Sequence, residues 1–509
     1  MNDRTTHRLT DLAAAAGDLL VRVEGEAAIT GLSFDSRGIA AGDLFFCIPG
    51  TRSDGHDYAA AAADAGAGAV VVERQVAIGL PSIHVTDARR AMARISAQFF
   101  GHPATDLQVM GVTGTNGKTT TTFLLEAILT AAGRAPGLIG TIETRIGGVV
   151  RPGVRTTPES LDLQRLFAEM RAAGADAVAM EVTSHALALH RVEGVEFAAA
   201  GFTNLTQDHL DFHSSMEEYF AAKRALFARG RARRAAVNVD DPYGRRLVND
   251  CEIETITFGI APDADVRAEN VHLGSKGTDF VCVVDGVGLE PAKIDVTSSL
   301  VGSFNVSNCL AAMTIALAAG ISLEDAARGV EALRAVPGRF ESIDMNQPFG
   351  VIVDYAHTPD SLENVLRAAR SVAAEGGGRV HVVFGAGGDR DRGKRPLMGR
   401  VAAELSDAVV VTSDNPRSED PESIIAQIVA GIRNVRSNGA DAAIPNRAEA
   451  IDHALQKARE SDVVVIAGKG HETGQQFADR TIPFDDREVA RSALARLGWG
   501  DDPESEGAL

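Results

Sequence analysis

The chain has 509 residues, 45% of them hydrophobic, which is enough for roughly three domains of ~100–200 residues each. Fifty Lys and Arg against sixty-nine Asp and Glu leave a net charge of −19, which opposes general binding to nucleic acid or an anionic membrane and favours an enzyme acting on small molecules. Cys47, Cys251, Cys282 and Cys309 have no paired or metal-ligand spacing, so reduced thiols of a cytoplasmic protein are expected instead of disulfides or zinc.

In chain order, LTDLAAAAGDLLVRV is interrupted by Asp11 and Asp18 and reads as neither a leader nor a span. A mixed α/β block follows, loop-rich at SFDSRGIAAGDLFFCIPGTRSDGH, and closes at the joint FFGHPATDL. A second joint, LRAVPGRFES, breaks a helical pattern at Pro337-Gly338, so the expected blocks are 1–104, 105–336 and 337–509. In the middle block the strand-like runs LQVMGV, DAVAMEV, FAAAGFTNL and RAAVNV alternate with helical stretches, and the last block repeats this with GVIVDY, RVHVVFGAG, DAVVVTS and DVVVIAGKG. Parallel sheets covered by helices are expected in both. LAAMTIALAAGISL is shorter than the ~20 apolar residues a membrane span needs. The closing DDPESEGAL has a disordered composition.

VTGTNGKTTT, residues 112–121, fails the usual phosphate-loop pattern, because Val112 stands where the first glycine belongs. The physics survives the mismatch. Gly114 and Gly117 let backbone N–H groups approach phosphate, Lys118 suits the β- and γ-phosphates and Thr119 suits Mg²⁺, between an expected strand and a helix ending near Gly133. A glycine-rich turn that binds nothing is the plain alternative.

Ligands of parallel α/β sheets bind beyond the carboxyl ends of the strands. The residues in that position are Glu181; Asp208, His209 and Asp211; Asp354 and His357; Asp389 and Arg390; Asp414, Asn415, Pro416 and Arg417; and Lys469, His471 and Glu472. Six such loops point to one site between the middle and last blocks. Glu181 suits a magnesium carboxylate, although a helix-capping acid would look alike, and His209 could equally be a turn residue. In SMEEYFAAKRALFARG, Lys223 falls near the centre of an apolar stripe formed by Met216, Tyr219, Phe220 and Phe227. Such a lysine either snorkels or, desolvated and neutral, can take up carbon dioxide as a carbamate.

VTGTNGKTTT, EVTSHAL, NLTQDHLDFH, YFAAKRALF, GSFNVSN, PGRFE, VDYAHTPDS, GGDRDRGKRP, SDNPR and GKGHE together resemble the Mur ligase family over nearly the whole chain. The resemblance implies an α/β protein of three domains: a mixed α/β uridine-nucleotide module, a central P-loop ATPase-like parallel sheet and a Rossmann-like carboxy-terminal domain. It also implies amide-bond synthesis with ATP and Mg²⁺, in which a carboxylate is phosphorylated and the acyl phosphate is then attacked by an amine. Within the family the arrangement resembles the form that adds meso-diaminopimelate to UDP-N-acetylmuramoyl-L-alanyl-D-glutamate for peptidoglycan. No nucleic acid or membrane partner is implied, and a monomer is expected.

Site residues follow from the same resemblance. Gly114, Thr115, Asn116, Gly117, Lys118, Thr119 and Thr120 would hold ATP, with Asn305 and Asn308 at adenine, Arg339 at the γ-phosphate and Asp354 at the ribose. Thr119, Glu181, His209 and a carbamylated Lys223 would hold magnesium, and Lys118, Lys223, Glu181 and His209 would form the catalytic set. Phe34, Ser36, Thr51, Arg52 and Ser53 would meet the sugar nucleotide, and Arg155, Thr156, Thr157, Ser184 and Arg191 the muramoyl dipeptide. Leu189 replaces a polar residue of some relatives, so that contact is expected to be absent. Arg390, Asp414, Asn415, Pro416, Arg417, Gly468 and Glu472 would meet diaminopimelate, whose distal carboxylate, absent from lysine, matches the planar fork of Arg417. The competing readings are a lysine-adding or folylpolyglutamate-synthetase-like ligase, weighed against by DNPR and FDSR, a non-catalytic sugar-nucleotide binding module, and an ATP-driven switch, which would hydrolyse ATP without an amino acid.

Overall fold

A computed structural model describes residues 6–50, 53–274, 277–286, 288 and 290–500. Thr51, Arg52 and the acidic tail from Asp501 lie outside the described residues.

The first sheet runs Leu20–Glu24, Ser82–Val85, Ala69–Val72, Asp43–Phe46 and Gly31–Ser33 across its width. Its first pair is antiparallel and the rest are parallel. Helix Ala88–Phe99 starts where the Asp87 carboxylate accepts the Arg90 N–H at 3.0 Å. It lays Ala91, Met92 and Ile95 on Leu44, Phe46, Val71 and Ile83, and Leu161 from the next block completes this core. The opposite side of the helix meets the middle block through a buried acid: Arg90 and Arg94 lie 3.4 and 3.6 Å from Glu193, which also pairs with Arg231 and His190. His190, then Arg231 and Arg90, hold the Glu193 carboxyl well below the usual carboxylate range against the opposing push of burial.

The middle sheet has eleven strands. Its centre is parallel, as the apolar runs predict: Pro136–Ile139, Ala177–Glu181, Gln108–Thr113, Phe197–Phe202, Ala232–Asn238 and Glu254–Gly259. Its margins are not. Glu143–Ile146 and Val149–Pro152 form a hairpin, and Val266–Gly274, Gly277–Val284 and Ala292–Ser298 form an antiparallel meander. Gly147-Gly148, at φ +53° and +81°, turns the hairpin in two residues, which leaves no room for the crossover a parallel pair requires.

Helices cover both faces of this sheet. Lys118–Ala131, Ser303–Ala318 and Leu323–Ala332 pack Leu124, Ile128, Leu310, Ile315 and Val330 on one side, and Ser160–Ala172 and Met216–Arg224 pack Phe167, Met170, Tyr219 and Phe220 on the other. LAAMTIALAAGISL is therefore an interior helix and the turn after it. Among the described residues no helix is long and apolar enough to cross a membrane.

The last sheet runs Glu341–Ser342, Gly350–Asp354, Val463–Ala467, Val380–Phe384, Ala408–Val411 and Ala442–Ala443, parallel except at its first strand. Thr358 and Ser361 form a reciprocal capping box that starts helix Pro359–Gly376 beside the middle block.

Two predictions follow from this packing. A Cβ on Gly329 would lie 2.3 Å from the Ile128 Cα, so Gly329→Ala should lower stability by about 1–3 kcal/mol in urea unfolding. The depressed Glu193 pKa gives stability that is complete above the unfolded value of about 4.3 and is lost as pH falls below it towards the folded value. Glu193→Gln should accordingly flatten the acid limb of a thermal-stability profile against pH while lowering its plateau.

Candidate active site

Strand Gln108–Thr113 ends at Gly114, and helix Lys118–Ala131 begins after Gly117. Val112 is a buried strand residue opposite Glu181 and Gly201, so the phosphate loop opens only at Gly114. Both glycines are required. Gly114 and Gly117 have φ of +146° and +85°, and Cβ atoms there would lie 1.9 Å from Thr203 Oγ1 and 2.4 Å from Asn308 Oδ1. Lys118 folds back over the loop, donating to the carbonyls of Gly114 and Thr115 at 3.0 and 2.8 Å. Burial lowers its pKa, with Glu181 and Asp208 opposing.

Glu181 is 1% exposed at the end of its strand. Thr119 Oγ1 lies 3.1 Å from both carboxylate oxygens, and Thr141 adds its N–H at 2.7 Å and its hydroxyl at 3.0 Å. It does not cap the following helix; Thr183 does, accepting the Ala186 N–H. Among the described residues Glu181 forms no ion pair. A buried carboxylate satisfied only by neutral donors and facing a hydroxyl is a hard-oxygen pair that fits a divalent cation. Among the described residues no group of three His, Cys, Asp or Glu is placed to hold a metal ion by itself, so phosphate, water and other oxygens would complete such a site.

Lys223 does not snorkel. At 1% exposure it lies beneath the loop, donating to the Gly114 carbonyl at 2.7 Å with its Nζ 4.6 Å from the centre of the Tyr219 ring. Burial, then the charge of Lys118, pushes its pKa well below that of an ordinary lysine. His209 has left-handed backbone at φ +54°, accepts no place in a regular element, and stands 4.8 Å from the His185 ring and 6.0 Å from Tyr219. Burial lowers His209 to about 3 against the pull of Asp208, and His185 to about 4, leaving both imidazoles neutral.

Lys118, Thr119, Thr141, Glu181, His185 and His209 border a cleft of about 810 Å³ lined by both the middle and the last sheet's loops, whereas Lys223 lies behind that lining. Arg339 reaches in from the last block, donating to Thr119 Oγ1 at 3.2 Å with its guanidinium 4.4 Å from the Tyr355 ring centre. Asp354 is buried and accepts the N–H groups of Phe340 and Ala356 at 2.6 and 2.7 Å. Asn116 of the loop donates to Asp360 across the blocks at 2.6 Å. At the other end Arg155, Thr156, Thr157 and Arg191 line the wall. Buried Glu159 aligns Arg155 and Arg191 at 3.0 and 2.9 Å and ties them to Arg89 of the first block at 3.4 Å.

Other expected residues are placed differently. Asn308 lines the cleft, whereas Asn305 lies behind it and accepts the Asn308 side-chain N–H at 2.9 Å. Ser184 is buried against His213 at 3.0 Å, outside the cleft lining. Leu189 follows the short helix Ser184–Ala188. Phe34 packs at the margin of the first core, Ser36 opens a short 3-10 turn and Ser53 is exposed; none of the three lines the cleft. Thr141, His185, Glu159 and Asp360 escaped the sequence reading. His185, four residues beyond Glu181, could have been found by extending the strand-end rule, and Glu159 and Asp360 lie within four residues of Arg155 and His357; Thr141 comes from a separate segment.

Arg390, Asp414, Asn415, Pro416, Arg417, Gly468 and Glu472 form a second group beyond the ends of the last sheet, joined to the cleft wall where His471 stacks 5.2 Å from Tyr355. Arg417 donates to the Gly388 carbonyl at 2.7 Å. A Cβ on Gly387 would lie 3.1 Å from Arg417 Nη1 and 3.7 Å from Arg390 Cγ, so glycine admits both arginines to one side of the loop. Fully buried Lys469 holds Glu472 at 2.8 Å and Asn415 at 3.1 Å. Gly468, at φ +117°, lies close to Asp414. Two positively charged forks and the carboxylates of Asp414 and Glu472 suit a zwitterion bearing an additional carboxylate.

Three segments match family descriptions: residues 28–100 "Mur ligase family, catalytic domain", 112–316 "Mur ligase middle domain" and 338–470 "Mur ligase, glutamate ligase domain". UDP-N-acetylmuramoyl-L-alanyl-D-glutamate--2,6-diaminopimelate ligase of Solibacter usitatus is 48% identical over 92% of this chain and 94% of its own length. The protein of that name from Streptomyces avermitilis is 47% identical over 95% and 96%. A solved structure of a ligase of the same name has a TM-score of 0.67 at 30% identity, covering 97% of this chain and all of its own.

The geometry of the loop yields a direct test. Lys118→Met should weaken binding of a nucleoside triphosphate by at least about tenfold in calorimetric titration, because a charge-assisted contact to phosphate is lost, with little change in thermal stability.

Proposed function

The chain belongs to the Mur ligase family, and from that premise we infer that it is the ATP-dependent ligase joining meso-diaminopimelate to the D-glutamate of UDP-N-acetylmuramoyl-L-alanyl-D-glutamate in peptidoglycan precursor synthesis. The observation that carries the mechanism is the meeting of phosphate loop, buried Glu181 and Arg339 on one hydroxyl, Thr119, beside a wall of arginines suited to an anionic acceptor.

A carboxylate does not condense with an amine unaided, because oxide is a poor leaving group. The D-glutamate γ-carboxylate attacks the γ-phosphorus of ATP and releases ADP. The incoming amine then attacks the acyl phosphate, and the tetrahedral adduct loses inorganic phosphate and a proton to give the amide. The protein supplies position and charge. Arg155 and Arg191, aligned by Glu159, orient the acceptor. Lys118 turns from its loop carbonyls to the β- and γ-phosphates, and Arg339 meets the moving phosphoryl group. Asn308 faces the base, with Asn305 fixing its amide, and Asp354 receives the ribose.

Thr119 and Glu181 would hold Mg²⁺, with His209 and the carbamate of Lys223 at a neighbouring position. Bound there, the metal offsets charge on the phosphates. Lys223 fits carbamylation because burial favours its neutral amine over the ammonium form: that amine adds to carbon dioxide, loses one proton and becomes an anionic oxygen donor. In this reading residues 1–104 carry the uridine nucleotide, with Phe34, Ser36, Thr51, Arg52 and Ser53 as contacts. Residues 105–336 carry ATP, and residues 337–509 carry the amino acid. A cytoplasmic setting agrees with four free cysteines, of which Cys47, Cys282 and Cys309 are pushed up to about 12 by burial.

The amino acid is assigned to the group around Arg417 and Arg390. Lysine lacks the carboxylate those guanidinium groups would bind and leaves them unpaired. Purified protein supplied with ATP, Mg²⁺ and UDP-N-acetylmuramoyl-L-alanyl-D-glutamate should form ADP and tripeptide product by mass spectrometry with diaminopimelate but not with lysine. ADP formation at full rate without any amino acid would instead indicate a nucleotide switch. Arg417→Ala should raise the KM for diaminopimelate by at least about tenfold and leave nucleotide affinity within about twofold.

A further inference from the structure

Beneath the amino-acid group lies an ion pair that the reaction does not use. Arg395, near the start of helix Lys394–Leu405, is fully buried. It grips Glu419 with both ends of its fork, Nη1 to Oε2 at 3.0 Å and Nη2 to Oε1 at 2.8 Å, and also donates to Gln427 Oε1 at 3.0 Å and the Gly387 carbonyl at 3.1 Å. Glu419 in turn accepts the Asp389 N–H at 2.7 Å, and the Asp389 carboxylate accepts the Ser418 hydroxyl at 2.7 Å and the Ser418 N–H at 3.2 Å. One pair therefore binds two separate strand-end loops, the one that carries Arg390 and the one that carries Arg417.

The backbone on either side shows why such a tie is needed. Asp389 and Arg417 both sit at φ +53°, a left-handed conformation that non-glycine residues keep only where the surroundings impose it. A Cβ on Gly388 would lie 1.8 Å from the Pro416 carbonyl oxygen, so the loops already touch backbone to backbone. Arg395 keeps Glu419 ionised, holding its carboxyl down at about 2. Removing Glu419 would leave the fully buried Arg395 without a carboxylate, and removing Arg395 would leave Glu419 only the exposed Arg392 at 3.2 Å; either loss frees the loops to separate.

We propose that Arg395 and Glu419 are positioning residues for amino-acid specificity, setting the spacing at which Arg390 and Arg417 together accept the distal carboxylate of diaminopimelate. The inference rests on the assignment of Arg417 to that carboxylate. Two guanidinium groups discriminate a diacid amine from lysine only when their separation is fixed, since a displacement of about 1 Å at such contacts can cost about a hundredfold.

The test is steady-state kinetics of the full-length enzyme with meso-diaminopimelate as varied substrate, alongside thermal unfolding. Glu419→Gln keeps size but not charge, and Arg395→Lys keeps charge but not the fork. Each should raise the KM for diaminopimelate at least about tenfold, with kcat within about threefold and the KM for ATP within about twofold. Ser418→Ala, an exposed change on the same tie, should raise that KM about threefold with unaltered thermal stability, and decides the matter if the buried variants do not fold. Folded variants with a wild-type KM for diaminopimelate would overturn the proposal, as would a parallel rise in both KM values. Arg417→Ala run in parallel separates the two levels. A raised KM there with an unaltered Glu419→Gln removes the positioning role alone, whereas an unaltered KM in Arg417→Ala removes the assignment and this proposal with it.

Discussion

One threonine hydroxyl, sharing its proton between both oxygens of a buried glutamate, holds this active site together. Thr119 begins the helix that follows the phosphate loop, and Glu181 ends the adjacent strand. Thr141 fixes the glutamate from a third segment, and Arg339 reaches the same threonine from another sheet. A carboxylate with 1% exposure is costly to bury without a full set of donors. That cost is offset only when loop, strand and the arginine-bearing joint are all in register, so the electrostatics of the site report on the assembly of two sheets.

The same economy of charge recurs. Lys223 under the loop, Lys469 beneath Glu472, Arg395 with Glu419 and Arg447 with Asp486 are all buried ionisable groups at strand ends. Arg447 also donates to the carbonyls of Ala467 and Ser413, at the starts of two of the last sheet's three substrate loops. Loops would otherwise be the mobile part of such a fold. Tying each to a desolvated charge makes it rigid where substrate recognition needs fixed distances. Lys223 differs from the rest in having no carboxylate partner among the described residues, only a carbonyl and an aromatic ring, an environment whose desolvation favours the neutral, reactive amine.

The order of strands along the chain was legible because each buried parallel strand is a short, nearly continuous apolar run between polar loops. The centre of the middle sheet and all the long strands of the last sheet fall where those runs predict. The antiparallel margins were not legible: VRAENVHLG mixes exposed and buried positions, and its periodicity says nothing of which strand it will meet. Val112 illustrates the limit of pattern matching. The search pattern expects glycine there, but the strand continues to Thr113, and the need for positive φ begins one residue later, at Gly114.

By itself the sequence determined which chemistry the protein carries: a phosphate loop, a lysine stranded on an apolar face, acids at strand ends and the DNPR arginine, each readable because it is a local departure from packing or propensity rules. Only the tertiary structure decided which of these meet. It set Asn308 into the cleft and Asn305 behind it, joined Thr141 to Glu181 and Asp360 to Asn116 across the chain, and put Glu159 between Arg191 and Arg89. It also joined the arginine loops through Arg395 and Glu419. Local propensity depends on neighbours in sequence, whereas a buried charge finds its partner through the sheet order and loop approach that long-range packing alone establishes.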